Sequence, residues 1–66
     1  MRLTFGTVRI QRWRLKRKLT QRVLAERVGI HPIYLAQLEA GTKTPSLRTL
    51  ERLAKALRVK IAKLLE

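Results

Sequence analysis

The chain has 66 residues, no cysteine and an apolar fraction of 45%, with sixteen Lys and Arg against four Asp and Glu, a formal charge of +12. That length allows one small core, with neither disulfides nor a thiolate metal site to support it, and fits a reducing compartment such as the cytoplasm. A membrane span is excluded because no apolar run is long enough.

Met1–Thr7 lacks the apolar stretch of a signal peptide, and no linker, repeat or low-complexity tract is visible. We therefore expect residues 1–66 to form a single domain. Charge is the extreme parameter. Eight basic residues precede the first acid, Glu26, and six of them fall between Arg9 and Lys18. Such an imbalance destabilises a compact fold by self-repulsion, so an anionic macromolecular partner is its simplest explanation.

In chain order, Gly6 and Thr7 punctuate the N-terminus, with Thr7 as cap of a helix running to about Lys18. Its apolar contacts are Ile10 and Trp13, extended by Val8 and Leu15, while Lys16, Arg17 and Lys18 complement the helix dipole in the last turn. Thr20 is a good cap for a second helix, Gln21 to Val28, which Gly29 ends at a position suited to positive φ. Ile30 and His31 make the turn. Pro32 opens a third helix at its first position, where the missing N–H is harmless, and Gly41 stops it.

Apolar Leu24, Ala25 and Val28 share one face, and Leu35 and Leu38 resume a buried face beyond the glycine. Small Ala25 and the glycine permit a close crossing of the two helices, which is the layout of a helix-turn-helix. A loop from Gly41 to Pro45 follows. Ser46 then caps a fourth helix with Leu47, Leu50, Leu53, Ala54 and Leu57 on one face. Val59 falls off that stripe, favouring a turn there and a short fifth helix carrying Ile61, Leu64 and Leu65. These last three side chains suit either a dimer contact or closure of the domain's own core. The expected class is all-α, a compact bundle of about five short helices.

The chain resembles the phage repressor and Cro-type helix-turn-helix family over about residues 6–65. The resemblance rests on LTQ at Leu19–Gln21, LAERVGI at Leu24–Ile30, LEAG at Leu38–Gly41 and PSLRTLERLAKAL at Pro45–Leu57. It implies a third helix entering the major groove of double-stranded DNA, with the second lying across the backbone. It also implies a phosphate contact at Gln21 and a buried ion pair between Arg14 and Glu39.

The positions implied to meet base edges are Pro32, Ile33, Ala36 and Gln37. Gln37 can pair bidentately with adenine. The other three depart from the polar residues usual in the family and reach only thymine methyls and sugar carbons. They therefore predict a T-rich preference or readout through DNA shape. Tyr34, Lys43 and Arg48 are placed for phosphates, with Thr42 and Thr44 beside Lys43. Arg9, Arg12, Arg17 and Lys18 extend the basic surface.

The expected function is a cytoplasmic, sequence-selective DNA-binding transcriptional regulator, acting as a repressor and binding as a weak homodimer. The alternative is a protein-binding adaptor or antitoxin-like module using Ile33 and Tyr34 as a small apolar patch. Nothing in the chain assembles paired carboxylates, a nucleophile with its base, or a glycine-rich phosphate loop, so no enzyme, cofactor or small-molecule ligand is expected. The single histidine, His31, has no companion ligands for a metal and is expected to cap the third helix or touch backbone.

Overall fold

The computed structural model describes residues 7–65, with side chains from residue 9 onward. Five helices follow one another: α1 (Thr7–Lys16), α2 (Gln21–Val28), α3 (Pro32–Ala40), α4 (Leu47–Leu57) and α5 (Ile61–Leu65). The roles expected of Gly6 and of the Thr7 and Val8 side chains lie outside the described residues.

Three helix starts follow from side chains that satisfy otherwise orphaned backbone donors. Thr20 Oγ1 accepts from Val23 N at 3.1 Å, and Ser46 Oγ accepts from Thr49 N at 3.1 Å. At the third start His31 Nδ1 accepts from Ile33 N at 3.0 Å, with Pro32 in the first turn. His31 is thus the α3 cap.

The helix ends share one device. The chain closes with a backbone bond from the residue after a left-handed position to the carbonyl five residues earlier: Leu19 to Arg14, Ile30 to Ala25, Thr42 to Gln37 and Val59 to Ala54. Glycine occupies the left-handed position at Gly29 (φ 82°) and Gly41 (φ 85°). Cations occupy it at Lys18 (φ 59°) and Arg58 (φ 61°), which is why no sequence punctuation marked those ends. As a result α1 stops at Lys16, two residues short of the end expected at Lys18. The payoff is apolar. Leu19, Ile30 and Val59 each swing back onto the core, and the turn at Val59 separates α4 from α5.

The core combines Ile10, Leu24, Leu35, Leu38, Leu53, Leu57 and Leu64, all fully buried, with the small Ala25 buried among them. α3 packs on α1 and α2, while α4 packs on α2, α1 and α5. Two apolar expectations need correction. Leu15 is 59% exposed, because Ile10 and Arg14 point inward and the next residue turns about 100° away. Leu47 is 65% exposed, since the first turn of α4 overhangs the core that begins at Leu50. At the C-terminus Leu64 closes the core, Ile61 packs against it, and Leu65 faces outward at 39% exposure.

Candidate nucleic-acid interface

α3 is apolar on both sides, and burial rather than polarity separates its structural side from its outer one. Leu35, Leu38 and Glu39 are buried, whereas Ile33 is 64% exposed and Pro32, Tyr34, Ala36 and Gln37 are half-exposed. Pro32, Ile33, Ala36 and Gln37 follow the i, i+1, i+4, i+5 spacing that places them on one outer face. Leu35, between them in sequence, points to the opposite side and anchors the helix.

The buried end of α3 is held by charge. Arg14 Nε donates to Glu39 Oε2 at 2.7 Å and Arg14 Nη2 to Oε1 at 3.1 Å, a two-point pair with both residues buried. Arg14 Nη1 also donates to the Leu19 carbonyl at 2.9 Å, and Gln21 Nε2 donates to Glu39 Oε1 at 3.0 Å. The network ties α1, the α1–α2 turn, the start of α2 and the end of α3 together. No buried side-chain polar atom among the described residues lacks a partner. Glu39 is the only acid on α3, so with it buried and neutralised the exposed face carries no carboxylate.

The hydrogen bond from Gln21 to Glu39 was not legible in the sequence, where Gln21 stood as a phosphate ligand. One of its two amide N–H donors is used within the fold, which leaves the second, and the α2 N-terminus presents backbone N–H groups and a positive dipole end. No local pattern announces such a bond between residues eighteen positions apart. Beyond α3, Thr42 ties the following loop to the helix through its N–H and Oγ1, both donating to the Gln37 carbonyl. Thr42, Lys43 and Thr44 are exposed there, and Arg48 is exposed in the first turn of α4. Among the described residues no cluster of His, Cys, Asp and Glu could hold a metal ion, and no helix is long and apolar enough to cross a membrane.

Two capped helices crossing at a left-handed glycine, with the second turned outward on an anchored base, constitute a helix-turn-helix. A family model described as Helix-turn-helix matches residues 10–64, and the chain belongs to that family. The chain is 44% identical over 54 residues to the immunity repressor protein of Bacillus phage phi105. That match covers 82% of this chain and 38% of the repressor, so the chain spans well under half of that relative's length. The N-terminal DNA-binding domain of SinR from Bacillus subtilis superposes with a TM-score of 0.88 at 30% identity, covering 96% of this chain and 93% of that one. The restriction-modification controller protein C.AhdI from Aeromonas hydrophila gives a TM-score of 0.86 at 31% identity, covering 94% and 92%. Fold and family are those of DNA-binding transcriptional regulators.

Proposed function

We propose that the domain is a sequence-selective transcriptional regulator that lays α3 in the major groove and represses by occupying its operator. The observation that carries this reading is the outward set Pro32, Ile33, Ala36 and Gln37 on a helix whose other side is locked by Leu35, Leu38 and the Arg14–Glu39 pair. A helix held so firmly presents its outer side chains with little ordering left to do on binding. Gln37 reads adenine through its amide, and Pro32, Ile33 and Ala36 pack on thymine methyls. Tyr34, Lys43 and Arg48 take phosphates along the flank. Gln21 serves the backbone through the α2 N-terminus and its second amide N–H, the first being held by Glu39.

A single domain buries only about 600–1,000 Å² on DNA, so two copies on successive major grooves about 34 Å apart give a better operator complex. Outward-facing Leu65 is available for the contact between them. If four to six phosphates are neutralised per domain, log K falls against log salt with a slope of roughly −4 to −5.

Selection of bound sequences from a random duplex pool tests the reading. It should enrich an A·T-containing motif. Gln37→Ala should flatten preference at one adenine by about 1–3 kcal/mol while leaving the salt slope unchanged. A pool that returns no motif at moderate salt would overturn sequence-selective recognition.

A further inference from the structure

The recognition side accounts for few of the sixteen basic residues. Lys43 and Arg48 flank α3, yet exposed Arg12, Lys16, Arg17, Arg27, Lys55 and Arg58 lie elsewhere. Arg12 and Lys16 each sit two residues from Arg14, and so about 200° around α1 from the side chain that meets α3. Arg17 Nε donates to the Leu57 carbonyl at 2.8 Å and Nη2 to the Arg58 carbonyl at 3.4 Å. These bonds clamp the end of α1 to the end of α4. Arg58 is about 15 Å further along α4 than Arg48, near the opposite end of that helix.

The cations form a continuous belt. Lys16 and Arg17 flank the Trp13 ring at 4.9 and 5.2 Å from its centroid. Arg17, Arg27 and Arg58 line one shallow groove, and Arg27, Arg52 and Lys55 line the next, where Glu26 is the only acid. No residue of α3 lines either groove.

We propose that this belt is a second, sequence-independent surface for a nucleic-acid duplex, so that a domain docked through α3 can hold another DNA segment on its far side. The proposal rests on α3 being the sequence-reading surface. With extents of 32 × 23 × 20 Å, the domain can separate the two surfaces by about twice the Debye length of roughly 8 Å at physiological salt. A duplex on one side then repels one on the other only weakly.

An acidic polypeptide fits less well, because such partners are held by apolar anchors seated in pockets. The belt offers only shallow apolar lining. Val28 is buried, Leu19 and Ala56 are half-buried in the groove floors, Lys16 and Arg17 flank the Trp13 ring, and none of the exposed Leu15, Ile33, Leu47 or Leu65 lines these grooves. Cations alone are what a phosphate backbone requires.

The test immobilises a biotinylated duplex carrying the selected motif, adds the domain, and measures retention of a second, fluorescent duplex lacking it. The wild-type protein should retain the second duplex at low salt and release it as salt rises. A variant with Lys16→Gln, Arg27→Gln and Lys55→Gln, all exposed and outside the caps and core, should still bind the motif. It should lose retention of the second duplex by at least about tenfold. Motif binding by this variant doubles as the control for folding.

Equal retention by this variant would overturn the proposal, since bridging would then run through pairs of α3 helices. Wild-type protein that binds the motif but never retains a second duplex also overturns it, while leaving the α3 reading intact. Failure to bind the first duplex sinks both. Belt-dependent capture of a poly-glutamate peptide without any second duplex would assign the surface to an acidic polypeptide instead.

Discussion

Glu39→Gln is expected to lower the unfolding free energy by about 3–5 kcal/mol, because it leaves the Arg14 guanidinium buried without a counter-charge. The substitution keeps the shape of the side chain, so the loss is electrostatic rather than a packing defect. Two Arg14 bonds and the Gln21 bond converge on this one carboxylate, so three helices feel the change. A domain below about 70–80 residues rarely holds more than 3–5 kcal/mol in total, so the variant should be largely unfolded at room temperature. Urea denaturation followed by circular dichroism measures it. Replacing the pair together, Arg14→Met with Glu39→Leu, should recover most of the loss, since both charges and their desolvation are removed at once. A single variant as stable as the wild type would show that the pair contributes little.

The second large effect belongs to Leu35→Ala. Leu35 is fully buried beneath α3, and truncating it opens a cavity at an expected loss of about 2–5 kcal/mol. Its sequence neighbourhood makes the comparison sharp. Ile33→Ala, two residues away on the exposed face, should change stability by no more than about 0.5 kcal/mol. DNA binding should separate the pair in the other direction. At a temperature where both are folded, Ile33→Ala should weaken recognition of a thymine-bearing motif directly. Leu35→Ala should act mainly through the folded population. Denaturation midpoints and motif affinity measured on the same samples check both. Equal destabilisation by the two substitutions would contradict the inward and outward assignment of α3.

The inward half of that assignment was visible in the sequence, since Leu35 and Leu38 recur at helical spacing, and the outward set Pro32, Ile33, Ala36 and Gln37 came from the family resemblance. Less visible was how the network beneath it is shared. Gln21 reads as an ordinary polar residue at a helix start, and only the folded chain brings it to Glu39. The belt was equally hidden, because Arg17, Arg27 and Arg58 are scattered along the chain and meet only when the ends of α1, α2 and α4 converge.

By itself the sequence determined the helical type of the elements, the capped starts at Thr20 and Ser46, the two glycine stops and a strongly cationic character, and it favoured the turn at Val59 without fixing it. Each of these follows from interactions within a few residues, such as a cap, a left-handed position or an apolar spacing. Tertiary structure alone decided that Lys18 and Arg58 end helices without glycine, that Leu15 and Leu47 face water, and that Leu64 closes the core while Leu65 does not. Those outcomes depend on which surfaces meet across the bundle, and packing between distant segments overrides local preference wherever a core must be closed.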